Sequence, residues 1–431
     1  MTGHGAVITI EVAELDLRKG GGVYRAYKML MARSSMGVEC HSILMSFTKE
    51  TLRDVLNLCP PLGFASLKRY LNNESGHPLW LLQRPLSLLL KLLSPRLSLN
   101  LRLHREIKRT DVVICHHEDL VCQKIALEIS EQTGSKVAAI LQLPPFYRDR
   151  ERILNVVSSI LLFHRLRTIA SSSLTDLMNF VNYFAYYNIK YNNAFSITSS
   201  TSESVLRRFD LVLAASRSIP IEMGWEDKIV AMDPGYGFDE EDLNYMRSLK
   251  LKRPEKPGLH AIFPARPVPE KGLADLLIVT KIIARSRRDF KIAITASEKD
   301  RIGTSIIKIA KKLGILDNIL LTGYIPRREF LRFRAGAKLT LYPSHVDAYP
   351  YAVAESLLLG TPVAAYDIPG LRINYGKLNG IYLVKEGDIE ALAQKALEIL
   401  DTKNIEVEEP KVKLFSEVAI EEKKILEKHL K

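Results

Sequence analysis

Cysteine, and the zinc and redox motifs built from it, are scarce in this sequence. The 431 residues contain only four cysteines, and no two of them have CxxC spacing. This disfavours a zinc ribbon or a disulfide scaffold and predicts reduced thiols in a cytoplasmic protein. The four are Cys40, Cys59, Cys115 and Cys122.

Long apolar runs are also lacking. A membrane span needs about 20 mainly apolar residues, and the best candidate, 79–93, is interrupted by Arg84, Pro85 and Lys91. The apolar run at 6–10 is too short for the core of a secretory signal, and no basic region precedes it. We therefore expect neither a membrane span nor a signal peptide in this sequence.

The composition is that of a folded protein with an excess of positive charge. Hydrophobic residues make up 47% and charged residues 26% of the chain, which disfavours a largely disordered protein. A chain of 431 residues is expected to form two domains. The 61 basic and 49 acidic residues give a net charge of +12. This excess favours anionic partners such as nucleic acid, anionic lipid or a phosphate-bearing small molecule.

Short apolar runs alternate with helical segments along the whole chain. The run 6–12 is followed by a glycine-rich loop and then by helical periodicity over 23–33, which is the opening of a βαβ unit. This alternation predicts two doubly wound α/β domains with parallel sheets. The other runs of strand length are 111–115, 136–140, 210–215, 258–263, 290–295, 319–322, 339–342 and 362–366.

The domain boundary is predicted in a charged segment that contains two prolines, 247–257. This placement gives an N-terminal domain over 1–246 and a C-terminal domain over 258–414. Segment 415–431 begins with a capping serine and continues with helical apolar spacing, so it is predicted to be a C-terminal helix.

Segment 342–370 combines a strand end, a loop and a helix start with two acidic residues. The strand ends near Tyr342 and the helix starts near Pro350. Asp347 and Glu355 are separated by seven residues across this helix start. Backbone amides at a helix N-terminus attract anions, and a carboxylate further along accepts hydrogen bonds from sugar hydroxyls. Taken alone, the two acids would equally fit a helix cap and a solvated surface residue.

This stretch resembles the donor-site signature of the family 4 retaining glycosyltransferases, in which acidic-x7-Glu is followed by Gly-x-Pro-Val and a strand. Segment 263–272 is similar to that family's Arg…Glu-Lys-Gly phosphate-binding loop, and 318–326 to the segment that lines its base pocket. Segments 379–388 and 210–239 are similar to the closing element of its second domain and the end of its first. The resemblance covers most of 210–400. It implies the GT-B fold, two Rossmann-like domains facing a central cleft.

The resemblance also implies a role for each matching residue. Arg266 and Lys271 would bind the diphosphate of a nucleotide-sugar donor, because cations there stabilise the charge that develops on the leaving oxygens. Glu355 would hold the donor ribose, and Asp347 would contact hydroxyls of the transferred sugar. The other donor-binding residues by this resemblance are Ala348, Tyr349, Pro350, Tyr351, Gly323 and Tyr324.

Some positions depart from the family pattern. The family most often has the longer Glu where Asp347 stands, and Gly where Ala348 restricts the loop. Residues 296–300 replace a turn that is usually rich in glycine. These departures leave the donor base and sugar open. The Asp-x-Asp metal motif of other transferases is absent, so we expect no metal cofactor, with protein cations in the place of Mg²⁺.

In the first domain, a glycine triplet follows the first strand. Gly20, Gly21 and Gly22 would let the backbone approach an acceptor or diphosphate closely, or would simply form a tight turn.

A histidine pair follows the strand at 111–115, where this family commonly has a histidine that faces the donor sugar. Counting from the strand favours His116, and the adjacent Glu118 favours His117. A neutral imidazole could donate a hydrogen bond to a sugar oxygen. Both histidines are kept as catalytic candidates.

Two segments have the pattern of helices that lie on anionic membranes. Segment 79–109 joins a leucine-rich face to a basic stripe, with seven basic residues against one acid between 84 and 109. Segment 153–169 has an apolar face and ends in two arginines. The alternative is that both are core helices of the first domain. Segment 179–194, rich in Tyr and Asn, is a candidate acceptor-side insertion.

These observations predict a retaining glycosyltransferase that moves a sugar from a nucleotide-diphosphate donor to an acceptor glycan or polyprenyl-linked lipid. It would act at the cytoplasmic membrane face. One alternative is a nucleotide-sugar epimerase of the same fold, and another is a catalytically inactive scaffold. Nucleic-acid binding is disfavoured because no recognised module accompanies the positive charge.

Overall fold

The computed structural model describes residues 8–17, 21–59, 61–64, 110–171, 178, 181, 201–252 and 259–430. Their contacts divide the chain into two compact units. The first unit consists of Met1–Arg148, Asn193–Phe238 and Val412–Lys431. The second consists of Asp149–Asn192 and Asp239–Lys411.

The first unit is built on a parallel sheet of seven strands in the order β3-β2-β1-β4-β5-β6-β7. Its strands are β1 Ile8–Leu15, β2 Glu39–Phe47, β3 Pro61–Phe64, β4 Val112–Cys115, β5 Lys136–Leu141, β6 Leu211–Ala214 and β7 Val230–Ala231. Its helices are α1 Gly21–Ser35, α2 Lys49–Leu58, α3 Leu120–Thr133, α5 Ser218–Met223 and α13 Phe415–Leu430. A separate short pair joins β8 Gly237–Phe238 to β15 Lys413–Leu414.

The second unit is built on a parallel sheet of six strands in the order β11-β10-β9-β12-β13-β14. Its strands are β9 Leu259–Phe263, β10 Ile292–Ile294, β11 Ile319–Leu321, β12 Ala337–Tyr342, β13 Val363–Tyr366 and β14 Ile381–Val384. Its helices are α4 Arg150–Ser171, α6 Glu240–Leu251, α7 Leu273–Ser286, α8 Arg301–Leu313, α9 Arg327–Ala335, α10 Tyr351–Leu358, α11 Pro369–Tyr375 and α12 Ile389–Asp401. Two 3₁₀ turns, Pro269–Lys271 and Leu316–Asn318, complete it.

Local sequence explains where several helices begin and end. Asp119 caps α3 by accepting hydrogen bonds from the backbone amides of the first turn, and Asp388 caps α12 in the same way. Helices α3 and α8 end at Gly134 and Gly314, whose φ angles of 68° and 71° lie in the left-handed region that favours glycine.

The strands predicted from apolar runs are confirmed, with boundaries that differ by one to three residues. Strand β2 was not predicted, because its sequence Glu-Cys-His-Ser-Ile-Leu-Met-Ser-Phe mixes polar and apolar residues. It lies beside β1 and buries Ile43 and Leu44. Pairing with β1 and burial of these side chains in the tertiary structure therefore stabilise this segment as a strand.

The contact-based units differ from the predicted contiguous domains in three places. Helix α4 belongs to the second unit, and so does α6, which was placed at the end of the first domain and in the linker. The C-terminal helix α13 belongs to the first unit. The chain therefore passes from one unit to the other near residues 148, 238 and 411, and again between residues 181 and 201.

The expectation of reduced thiols is wrong for two of the four cysteines. Cys40 in β2 and Cys59 at the end of α2 form a disulfide. Their sequence separation of 19 residues fits no short cysteine motif, so only the tertiary structure brings them together. Cys115 and Cys122 are buried free thiols.

Helix α4 contains the second segment that was considered for membrane contact. Its length and its mean hydropathy of 1.3 over 18 residues would allow a membrane crossing. However, Arg152, Asn155 and Ser159 on one face bind polar groups of the second unit, and Ile153 and Phe163 are buried. This face of α4 is thus a packing surface of the second unit. The alternative of a core helix agrees with this packing, but it had placed the helix in the first domain. Segments 79–109 and 179–194 lie outside the described residues, apart from Val181 in the latter.

Candidate functional site

In each unit, most of the predicted site residues follow the two strands at which the strand order reverses, whereas Gly323 and Tyr324 follow the edge strand β11. In the second unit these strands are β9 and β12, which are neighbours although β10 and β11 lie between them in sequence. In the first unit they are β1 and β4. Ligands of doubly wound sheets bind outside the carboxyl ends of such strands. The topology therefore places both groups of predicted residues where such a sheet binds its ligands.

Lys271 and Asp347 form the centre of the site in the second unit. The Lys271 ammonium lies 2.7 Å from Asp347 Oδ1 and 2.5 Å from the carbonyl oxygen of Val346. The hydroxyls of Tyr342 and Ser344 donate to Asp347 Oδ2 at 2.8 and 2.7 Å. One carboxylate oxygen of Asp347 therefore binds the lysine, and the two hydroxyls fix the position of the other. The structure thus joins two residues that the sequence separates by 76 positions.

Two glycines let the backbone segments of this site pack directly against each other. Gly272 has a φ angle of +74°, and a Cβ there would lie 1.8 Å from the carbonyl oxygen of Pro343. A Cβ on Gly370 would lie 2.1 Å from the carbonyl oxygen of Asp347. The loop that carries Asp347 is therefore in contact with glycine backbone at both ends.

Glu355 lies in α10 and is held by two arginines. Its Oε1 is 2.5 Å from Arg327, and its Oε2 accepts a hydrogen bond from Arg334. Burial raises the pKa of Glu355, but the two positive charges outweigh that effect and lower it below the ordinary value. Glu355 is thus an ionised carboxylate and can accept hydrogen bonds from hydroxyl groups.

The other residues predicted to bind the donor lie around this loop. Pro350 precedes the first residue of α10, Tyr351, and Tyr349 packs edge-to-face against the Tyr351 ring. Ala348 is buried, and its carbonyl oxygen accepts a hydrogen bond from Asn374. The donor contacts predicted for these residues stay predictions.

Three further predicted residues are exposed or open. Arg266 is exposed in the loop after β9. Tyr324 is 91% exposed, and Gly323 has a φ angle of +65° with open space where a Cβ would stand. Their side of the site is therefore accessible to a ligand.

In the first unit, Gly22 lies against a glutamine. A Cβ at this position would lie 2.9 Å from Gln142 Oε1, while Gln142 Nε2 donates to the carbonyl oxygen of His116 at 2.7 Å. The absence of a side chain at Gly22 thus allows close packing against Gln142. The predicted close approach of this loop to a ligand stays a prediction. Gly21 begins α1 and is exposed, and Gly20 lies outside the described residues.

His116 and His117 point to different surroundings. His116 is fully buried, and its Nε2 lies 2.5 Å from Glu11 Oε2. His117 Nε2 accepts a hydrogen bond from the backbone amide of Glu14 at 3.0 Å, so it carries no proton there. Only Nδ1 of His117 can then be the donor that a sugar oxygen would need. The role of either histidine in catalysis stays a prediction.

His116 belongs to a buried group of charges, which we call the Glu422 cluster. Glu11 and Glu422 face Arg25 and Arg33, and all four are at most 2% exposed. Burial lowers the pKa of His116, and with the nearby charges of Arg33 and Arg25 it outweighs the opposing effect of Glu11. Burial raises the pKa of Glu11, but Arg33 and His116 outweigh it and bring it to about 2. With His116 neutral, two cations balance two anions.

Glu118 was quoted in the sequence only as the neighbour of His117, and the structure gives it a distinct property. Its carboxyl group is surrounded by protein, although the residue as a whole is partly exposed, and it lies 3.4 Å from the backbone nitrogen of Gln142. Burial raises its pKa to about 7. A carboxyl group that titrates near neutrality, next to His117 in sequence and near the backbone of Gln142, is a candidate for contact with an acceptor. An acidic residue directly after a strand of the switch point is the signal that could have found it.

We expect Glu118→Gln to stabilise the protein above neutral pH and to change little at pH 4. The folded protein keeps the Glu118 proton up to about pH 7, whereas the unfolded chain releases it at about 4.5. Stability is therefore lost as the pH rises through this window. Because the residue is partly exposed, we expect a gain of about 1 kcal/mol at pH 8. Urea unfolding at pH 4 and pH 8, with the exposed Glu226→Gln as the control, measures it. An equal effect at both pH values would contradict it.

His345 was also missed, although it lies in the segment that carries the motif. It is 1% exposed and lies between the carboxylates of Asp275 and Glu386. Nothing in its local sequence indicates these partners, which are 70 and 41 positions away. Among the described residues, no group of three or more His, Cys, Asp or Glu side chains is arranged to hold a metal ion.

The arrangement of two parallel-sheet units, each with its site residues at a switch point, is the GT-B fold. Crystal structures of glycosyltransferases share it along nearly the whole chain. That of Anabaena Alr3699/HepE in complex with UDP and glucose has a TM-score of 0.55 and covers 98% of this chain and 95% of its own, at 12% identity. The predicted fold class is confirmed.

Residues 250–412 match the family model described as "Glycosyl transferases group 1". The 2-deoxystreptamine glucosyltransferase of Streptomyces kanamyceticus is 27% identical over 148 residues, which are 34% of this chain and 38% of that protein. The D-inositol 3-phosphate glycosyltransferase of Thermobispora bispora is 36% identical over 95 residues, 22% of each chain. The chain thus matches well under half the length of these curated relatives.

Proposed function

We propose that this protein transfers a sugar from a nucleotide-diphosphate sugar to an acceptor, with retention of configuration. The observation that carries the proposal is the Lys271–Asp347 pair at the carboxyl ends of β9 and β12, within the group 1 glycosyltransferase segment. The ionised Glu355 lies in the same strand-loop-helix segment as Asp347, and the exposed Arg266 lies in the segment after β9 that also carries Lys271.

The chemistry of a departing diphosphate suits these side chains. When the bond between the sugar and the phosphate breaks, negative charge develops on the leaving oxygen. A positioned ammonium and guanidinium stabilise that charge without having to reorganise. Asp347 keeps the ammonium of Lys271 in place before the donor binds and offers acceptor oxygens to sugar hydroxyls. Arg266 and Lys271 therefore act on the leaving group, and Asp347 and Glu355 act on hydroxyls.

We propose a uridine diphosphate sugar as the donor. Structural neighbours with the same fold were crystallised with UDP or with UDP-glucose, which supports this choice. The departures at Asp347 and Ala348 from the usual family pattern leave the transferred sugar open, so the test uses a panel of sugars.

Calorimetric binding of UDP-, GDP- and ADP-sugars without added metal tests the proposal. We expect one donor to bind, and Lys271→Ala to weaken it about 10- to 100-fold through the loss of a charge-assisted hydrogen bond. Glu355→Gln is preferred to alanine, because the amide keeps an acceptor oxygen for the buried Arg334, whereas truncation would remove it. The exposed Lys308→Ala is the matched control. Failure of every donor to bind the folded protein would contradict the proposal and favour an inactive scaffold.

Product analysis separates transfer from the epimerase alternative. A transferase increases the mass of an acceptor by one sugar residue, whereas an epimerase changes only the configuration of the donor. The anomeric configuration of the product, read by NMR, shows whether the reaction retains it.

For the acceptor we propose a glycan or polyprenyl-linked lipid at the cytoplasmic face of an anionic membrane. The basic and leucine-rich sequence of 79–109 supports this, as do the exposed Leu154 and Ile169 of α4. Sedimentation with vesicles of about 30% anionic lipid at low and high salt tests the membrane part. Equal sedimentation with neutral vesicles would contradict it.

A further inference from the structure

A buried group of four charged side chains lies beneath the loop that carries Asp347. We call it the His345 cluster, and it consists of His345, Asp275, Glu386 and Arg152. His345 Nδ1 lies 2.8 Å from Glu386 Oε1, and its Nε2 lies 3.5 Å from Asp275 Oδ2. Arg152 Nη1 lies 2.5 Å from the same Glu386 oxygen. Each of the four is at most 9% exposed.

The main chain of His345 connects the two segments that bear Lys271 and Asp347. Its amide donates to the carbonyl oxygen of Glu270 at 3.2 Å. Its carbonyl oxygen accepts a hydrogen bond from Arg152 Nη2 at 2.8 Å. The neighbour of Lys271 and the residue two before Asp347 are therefore held to each other and to helix α4. Movement of His345 would change the distance between the ammonium and the carboxylate.

The cluster is electrically balanced only when His345 carries a proton. Arg152 and a protonated His345 then face Asp275 and Glu386, two cations against two anions. Without the proton, two buried carboxylates face a single guanidinium, which is costly at such burial. Protonation also turns both ring nitrogens into donors, and each of them faces a carboxylate.

The elements packed around His345 supply no other described group that would restore the balance. Helix α4 contributes Asn155, which donates to Glu386, and Ser159, which donates to Asp275. Strand β13 contributes Tyr366, whose ring lies 5.0 Å from the imidazole and whose hydroxyl donates to Asp275. These side chains are neutral, and Asp388, which acts on Tyr366, adds negative charge.

We propose that His345 is a positioning residue: as an imidazolium it holds the segments that carry Lys271 and Asp347 in register, and the donor site loosens when it loses its proton. The structural part of this proposal stands on the contacts of the second unit, and its effect on donor binding rests on the proposed function. Burial alone would lower the pKa of His345, but its contacts with Asp275 and Glu386 raise it above the ordinary value.

The structural part is tested without any donor. NMR titration of ¹³C-histidine-labelled protein, assigned by the absence of one signal in His345→Gln, gives the pKa of His345. Hydrogen exchange of the peptide that spans 343–350, corrected for the intrinsic effect of pH, gives its protection. We expect a pKa above the ordinary value and protection that falls as the ring deprotonates. A pKa of His345 at or below the ordinary value would overturn the proposal. So would hydrogen-exchange protection of 343–350 that does not change as His345 loses its proton.

The effect on the site is tested by the pH dependence of donor affinity. UDP-glucose is a suitable probe because its diphosphate has no free phosphate group that titrates near neutrality. If binding needs the imidazolium, the Kd rises by up to about tenfold per pH unit above the pKa of His345. His345→Gln should bind weakly at every pH. His345→Gln/Glu386→Gln, which restores the balance of one cation and one anion, should recover affinity without pH dependence.

His260→Gln is the matched control, because His260 is a partly exposed histidine at the opposite end of strand β9. It should bind UDP-glucose as the wild type does. A wild-type affinity that does not change with pH would overturn the effect on binding, and so would a double variant as weak as His345→Gln. If the wild type binds no nucleotide sugar at all, the proposed function fails, and the titration and exchange results decide the positioning role by themselves.

Discussion

Glu422→Ala is expected to lower the free energy of unfolding of the first unit by about 3–5 kcal/mol, the usual cost of breaking a buried ion pair by removing one partner. Glu422 accepts hydrogen bonds from Arg33 and, at 2.6 Å, from Arg25. Both guanidiniums are at most 2% exposed. The substitution therefore leaves two buried cations with one remaining carboxylate, Glu11. It also removes the ion pairs between Glu422 of α13 and the two arginines of α1.

The matched control for this prediction is the adjacent residue. Glu421 pairs with Lys413 at 2.6 Å, and its side chain is 37% exposed. Such a pair contributes about 0–1 kcal/mol, so Glu421→Ala should change stability little. Urea unfolding followed by tryptophan fluorescence measures both variants, because both tryptophans, Trp80 and Trp225, belong to the first unit. Equal effects of the two substitutions would show that the Glu422 cluster does not stabilise the fold in this way.

Gly272→Ala is expected to cost about 3–5 kcal/mol of stability, in the range of the most damaging substitutions, and to abolish donor binding. A Cβ at this position would lie 1.8 Å from the carbonyl oxygen of Pro343. Because that atom is main chain, the segment after β12 must move. Lys271 precedes the glycine and Asp347 follows the proline, so the movement separates the two.

Gly314→Ala isolates the backbone part of this effect. Gly314 has a φ angle of +71°, nearly the +74° of Gly272, but no atom lies within 4 Å of a Cβ placed on it. Only the left-handed backbone then opposes the substitution, at about 1–2 kcal/mol. Thermal unfolding and donor binding of both variants test the difference. If Gly314→Ala is as damaging as Gly272→Ala, the contact with Pro343 is not the cause.

The residues proposed for the donor side could be named from the sequence because they are close together in it, although their contacts with a donor stay predictions. Asp347 and Glu355 lie within one strand-loop-helix segment, and Arg266 and Lys271 lie within another. The order of apolar runs and glycines indicates that both segments follow strands of a parallel sheet. A short motif of this kind carries its own local geometry, so its residues could be identified before the fold was known.

The same reasoning could not assign the charged residues that support these segments. Glu422 is 389 positions from Arg33, and His345 is 193 positions from Arg152. In the sequence, each resembles an ordinary polar residue of a helix or loop. For His116, the resemblance predicted a contact with the donor sugar, which stays a prediction, and the structure adds a contact between its ring and the buried Glu11 that the sequence did not indicate.

The alternation of strands and helices, the GT-B class and the two motifs proposed for the donor side could be inferred from the sequence, because periodicity and short motifs involve near neighbours in the chain. The burial of specific charges together, the pairing of Cys40 with Cys59, and the packing of α4 and α13 with units far from them in sequence became known from the three-dimensional structure. Burial and charge pairing depend on distance in space. A chain that crosses repeatedly between two units brings together residues that no local pattern relates.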